Sequence, residues 1–156
     1  MPGASGHHGG GPYRQLSTKP LYGRRGCMAE RERLIVVILR ASDLGASLHF
    51  YRDVLGVALE PGFNTPEDDP WYGGHHVELS YREGAYLHFA LFPARPPEFP
   101  ATSSAELGFL VRDVNGLHER VVSSGVRALH PPRKEPWGIT ARYADPDGNV
   151  VGVTSQ

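Results

Sequence analysis

Cysteine is almost missing from this chain. Cys27 stands alone among 156 residues, so no internal disulfide can form, the fold must rest on its apolar core, and a reducing, cytoplasmic setting is expected. Excess charge of either sign is missing too. Sixteen Lys and Arg against seventeen Asp and Glu leave a formal net charge of −1, and this even mixture predicts neither a nucleic-acid surface nor an anionic-membrane surface. No apolar run approaches the roughly 20 residues needed to span a bilayer. What is present is enough chain for one domain of ordinary size with a real core.

Residues 1–28 differ in composition from the rest, being rich in Gly, Pro and basic residues. They lack the continuous apolar region of a secretory signal and predict a disordered or loosely packed tail, with His7 and His8 as part of it. Residues 29–156 read as a single domain. Its organising stretch is Leu34 to Gly56, LIVVILRASDLGASLHFYRDVLG. The β-branched run from Leu34 to Leu39 predicts a strand covered on both faces. Ser42 and Asp43 then offer oxygens to a helix start, Leu44, Leu48, Tyr51 and Leu55 follow at helical spacing, and Gly56 supplies the stop.

That unit occurs twice. Leu107 to Asp113 is a second apolar strand, and Val114, Leu117 and Val121 form the stripe of a second helix that stops at Gly125. Each helix hands over to a short strand closed by proline. Each half then carries a Pro-Trp pair followed by glycine, around Trp71 and Trp137, and closes with two strands about a tight turn. The order β-α-β-β-β thus repeats with a period of about 70 residues, longer than the solenoid repeats. Module 1 covers about 33–92 and module 2 about 105–155. The connection 93–104, with four prolines from Pro93 to Pro100, predicts an extended and stiff segment. The acidic, aromatic stretch Pro61 to Gly74 is a long loop that could cover a cleft.

Two tandem β-α-β-β-β modules, with SDLGASLHFYRDVLG in the first and DPDGN before the last strand, resemble the vicinal oxygen chelate superfamily. Its members include glyoxalase I, extradiol dioxygenases, methylmalonyl-CoA epimerase, fosfomycin-resistance enzymes and bleomycin-binding resistance proteins. The resemblance covers Leu34 to Thr154 and implies an α+β fold whose two modules form a bent-sheet cleft. Family members commonly pair modules between chains, so a homodimer is expected. In metal-dependent members four side chains, one from the first and one from the last strand of each module, bind a divalent ion with open positions for vicinal substrate oxygens.

Counted as the family's strands are spaced, those positions fall on Val36, His88, Leu107 and Gly152. Three of the four lack donor atoms, so the family metal is expected to be absent and no cofactor is expected. A cleft without metal reads as apolar and aromatic, lined by Val36, Ile38, Tyr86, His88, Leu107 and Phe109, with Trp71 and Trp137 on loops above. Arg40 stands where glyoxalase-like members place an arginine facing an anionic group, with helix capping or a surface ion pair as competing roles. The implied function is binding of a small aromatic or amphipathic molecule without transforming it. The alternative is a lyase, isomerase or dioxygenase using an atypical site. His76 and Glu78 share one strand face by the period of two, and with His88 they could form a metal site or an acid–base pair. A third reading is a structural or regulatory partner whose cleft is plugged. His49 and His118 are expected at the surface of the helices. The DPDG segment is expected to be a tight turn rather than a calcium loop.

Overall fold

The computed structural model describes residues 34–64, 74–81 and 87–155. The tail, the loop that carries Trp71, and the hairpin tip that carries Tyr86 fall outside these residues. Module 1 is built from β1 (Val36–Ala41), α1 (Leu44–Leu48), β2 (Glu60–Asn64), β3 (Gly74–Tyr81) and β4 (Leu87–Pro93). Module 2 repeats the order with β5 (Glu106–Leu110), α2 (Val114–Ser123), β6 (Ala128–Glu135), β7 (Gly138–Ala144) and β8 (Val150–Ser155). The two sheets run β1-β4-β3-β2 and β5-β8-β7-β6. In each, the first strand pairs parallel to the last, and the remaining pairs are antiparallel.

Each helix starts as its sequence dictates. Asp43 accepts a hydrogen bond from the Ala46 amide at 2.9 Å, and Asp113 accepts one from the Gly116 amide at 3.1 Å. An aspartate cap satisfies a backbone donor that has no partner inside the helix. α1 continues as a π-helical turn over His49–Val54 before Gly56, at φ 82°, ends it. Gly125 ends α2 in the same left-handed conformation at φ 75°. Ser42 does not cap; its own amide donates to the Asp147 carboxylate at 3.1 Å, which ties the start of α1 to the turn before β8.

One face of each sheet is packed and the other carries no helix. Leu39, Val77, Phe89 and Leu91 of the first sheet and Ala141, Tyr143, Val151 and Val153 of the second share one core with Phe50, Tyr51 and Val54 and with Val114, Leu117 and Val121 of α2. Tyr51 is fully buried, edge-on to Phe89 at 5.7 Å and tilted against Phe109 at 6.3 Å. The modules therefore join through their packed sides. The helix-free faces are open faces, carrying the alternate residues of every strand.

Three expectations need correction. β1 begins at Val36, and Leu34, Ile35 and Val36 are 71%, 51% and 40% exposed. An edge strand paired only with β4 is covered where a neighbour lies over it, which here is its second half. The prolines lie within the short strands instead of closing them: Pro61 sits in β2 and Pro131 and Pro132 in β6. Both are edge strands, where a missing N–H need not interrupt a ladder. Finally, the connection is not extended. Arg95 and Phe99 exchange backbone hydrogen bonds of 2.7 and 2.9 Å, and the turn so formed lays Phe99 over Arg40.

Candidate functional site

The open face of the first sheet gathers side chains from three strands. Val36, Ile38 and Arg40 of β1 stand opposite His88, Ala90 and Phe92 of β4. On the far side of β4, Ser80 stands opposite His88 and Glu78 opposite Ala90. His76 follows two residues along β3, facing Gly62 of β2. The four polar residues form one row of close contacts. Ser80 Oγ lies 3.1 Å from His88 Nδ1, His88 Nε2 lies 3.2 Å from Glu78 Oε2, and the same oxygen lies 3.1 Å from His76 Nε2. His76 Nδ1 donates to the Gly74 carbonyl at 3.2 Å.

Burial grades along the row. The His76 side chain is 2% exposed and stacks on Phe92 at 4.3 Å with 10° between the rings, whereas His88 is 19% and Glu78 40% exposed. His76 lies flat against the β2 backbone, because a Cβ at Gly62 would run into its ring. At that end of the face Arg40 is buried, its guanidinium 5.0 Å from the Phe92 ring centre and 4.8 Å from that of Phe99. Its backbone is tied to the connection, its amide donating to Thr102 Oγ1 at 3.0 Å and its carbonyl accepting from the Thr102 amide at 2.8 Å. Arg40 is thus neither a helix cap nor a surface residue. It is a cation held between aromatic faces.

The structure brings together Val36, Ile38, Arg40, His88, His76 and Glu78, and it separates Leu107 and Phe109 from them. Both of these pack toward the core, and Phe109 meets Phe89 at 5.9 Å. Together with Val37, Leu87 and Tyr81 they border an apolar cavity of about 310 Å³ on that side. The cavity has little but the Tyr81 hydroxyl to orient a ligand, and a binding site needs convergent polar groups. The open face has them. Trp137, 65% exposed, sits at the β6–β7 turn beside Lys134, Pro136 and Ile139, away from both. Trp71 and Tyr86 lie outside the described residues.

The misplaced Leu107 has a physical explanation. Val36 lies seven residues before the cap Asp43, and the residue seven before the cap Asp113 is Glu106, on the open face of the second sheet. A count shorter by one exchanges the faces. Glu106 is held 3.3 Å from Arg142 of β7, and Gly108 and Gly152 pair beside it. Ser80 was overlooked in the sequence although a signal existed. Ser80 and His88 lie four residues either side of Gly84, so a hairpin centred there sets them opposite each other on one face.

Paired β-α-β-β-β modules with helix-free sheet faces define a class of cleft-forming proteins, and the comparisons fix the family. A model of the Glyoxalase/Bleomycin resistance protein/Dioxygenase superfamily matches residues 33–153, and the chain belongs to that superfamily. It is 28% identical over 124 residues to the Bacillus subtilis (strain 168) protein YraH, covering 78% of this chain and 96% of that one. Among solved structures it resembles TnmS3, an antibiotic binding protein from Streptomyces sp. CB03234, at 24% identity and a TM-score of 0.58, over 81% of this chain and 98% of that one. A glyoxalase-related enzyme from Fulvimarina pelagi is similar at 25% identity and a TM-score of 0.58, over 81% and 89% of the two chains.

Donor atoms are few at the four positions counted on the family's strand spacing. The corrected positions are Val36, His88, Glu106 and Gly152; two of them have no donor atom, and the Glu106 carboxylate already faces Arg142. Among the described residues no group of three His, Cys, Asp or Glu is arranged to hold a metal ion. His76 and His88 flank Glu78, with His76 Nε2 at 3.1 Å and His88 Nε2 at 3.2 Å from one carboxylate oxygen. No helix among the described residues is long and apolar enough to cross a membrane.

Proposed function

We propose that this protein binds a small aromatic or amphipathic molecule on the open face of its first sheet, without the family metal, as a homodimer in the cytoplasm. The observation that carries the reading is the make-up of that face. Val36 and Ile38 supply accessible apolar area over the buried Ala90 and Phe92, beside a row of polar groups that can orient a ligand. The face is less apolar than the sequence suggested, which favours an amphipathic ligand over a purely aromatic one. Similarity to a protein described as antibiotic binding supports the same class of ligand. The absence of donors at Val36 and Gly152 supports binding without a metal, and the lone cysteine agrees with a reducing compartment.

Titration with a panel of amphipathic aromatic antibiotics, followed calorimetrically, tests the reading. At least one should bind, and Ile38→Trp, which fills the face, should weaken that binding by about tenfold or more, equal to about 1.4 kcal/mol. Affinity that survives Ile38→Trp, or a panel without binders, overturns it. One observation favours chemistry as well as binding, namely that His76, Glu78 and His88 are joined through one carboxylate oxygen.

A further inference from the structure

The geometry points to Ser80 as a nucleophile, activated by His88 and Glu78, that accepts an acyl or phosphoryl group from an activated ester. The Glu78 carboxylate oxygen, 3.2 Å from His88 Nε2, favours the tautomer with its proton on that nitrogen. In the neutral ring Nδ1 is then a lone pair, and at 3.1 Å the Ser80 hydroxyl is its donor. A serine whose proton already points at an imidazole, with a carboxylate holding that imidazole's other nitrogen, is the arrangement of an activated alcohol.

The row is held rigidly and is reachable. Ser80 and His88 are directly paired across β3 and β4, and Glu78 lies two residues along on the same face, so their separations are set by the sheet. His76 is fixed by Phe92, Gly62 and the Gly74 carbonyl, and it engages the same Glu78 oxygen, which limits the carboxylate's rotation. Ser80 is half-buried and the His88 side chain 19% exposed, so a small electrophile reaches them.

The chemistry balances. Ser80 Oγ attacks the ester carbonyl, its proton passes to His88 Nδ1, the bond to the alcohol oxygen breaks, and the leaving alkoxide takes the proton from Nδ1. Water then repeats the sequence on the acyl-serine and releases a carboxylic acid. With diisopropyl fluorophosphate, Oγ bonds to phosphorus, the P–F bond breaks and fluoride leaves, and the serine proton passes through His88 to solvent, leaving a phosphorylated serine.

The intact protein is treated with diisopropyl fluorophosphate and, separately, with p-nitrophenyl acetate, and adducts are mapped by mass spectrometry. A single adduct on Ser80 is expected, absent in Ser80→Ala. Replacing the base in His88→Ala should slow labelling by roughly 10²-fold or more, and added imidazole should restore part of the rate, which a merely structural histidine would not permit. Glu78→Gln keeps the shape, so it guards against a His88 variant that fails to fold, and it should slow labelling as well. His49→Ala, remote from the row, should label like the wild type. No adduct on Ser80, or labelling indifferent to both His88→Ala and Glu78→Gln, overturns the proposal. Labelling needs no antibiotic, so its failure is distinct from a failure of the binding panel.

Discussion

At the scale of residues, Tyr51 shows how much one side chain joins. It lies within the helical stripe of FYRDVLG, where spacing marks it as core, and it is fully buried. Its hydroxyl also donates to Asp145 Oδ2 at 2.9 Å, and Asn149 Nδ2 donates to the same oxygen at 2.8 Å. Burial, then the Asp145 charge, pushes the Tyr51 hydroxyl far above the ordinary tyrosine range, so it remains a donor at any pH where the protein is folded. Tyr51→Phe removes that donor from a buried carboxylate, and hydrogen bonds to charged groups are worth about 1.5–3 kcal/mol. Urea unfolding should show a lower midpoint with an unchanged slope, the shift multiplied by the slope giving that free energy. An unmoved midpoint would mean that Asn149 and the backbone amides of Asp147 and Asn149 already satisfy Asp145. Periodicity revealed the apolar half of Tyr51 and not the polar half, because a bond between residues 94 apart leaves no local pattern.

At the scale of elements, the most legible features were those with local causes. Asp43, Gly56 and Gly125 bound the helices where the sequence placed them, and Asp113, read as the end of a strand, caps α2, since capping and left-handed turns are decided within a few residues. Asp113→Ala should cost about 1 kcal/mol by loss of the bond to the Gly116 amide, read as a lower thermal midpoint. A variant as stable as the wild type would show that water replaces the cap. Strand faces were less legible: they hinge on a count of single residues, and the one-residue slip from Glu106 to Leu107 moved two candidates from the open face to the core. The sequence placed Trp137 on a loop above the cleft, and the Pro-Trp-Gly segment of the second module lies at the turn before β7. Trp137 is 65% exposed, so Trp137→Ala should change stability by no more than about 0.5 kcal/mol. Its emission should also be open to acrylamide quenching. A destabilisation of several kcal/mol would place the ring in a packed environment instead.

At the scale of the whole molecule, the duplication was visible in the sequence, while the way the modules meet was not. Their packed sides share one core around Tyr51, Phe89 and Phe109, which turns both open faces outward within a chain. Each open face then bears uncovered apolar side chains, Val36 at 40% exposure on the first and Leu110 at 72% on the second. Exposed apolar groups on both open faces favour coverage by a second copy, the first sheet of one facing the second sheet of the other. Light scattering behind size exclusion should give a dimer mass at micromolar concentration. Leu110→Glu should shift the protein to monomer, and because Leu110 makes little contact within the chain, the monomer's own stability should change by no more than about 0.5 kcal/mol. The wild-type unfolding midpoint should rise with protein concentration, as association with the folded state requires, and that dependence should vanish in Leu110→Glu. A monomeric wild type with a concentration-independent midpoint would leave each open face as a complete half-cleft, and ligand affinity would then have to come from the Val36 and Ile38 face alone.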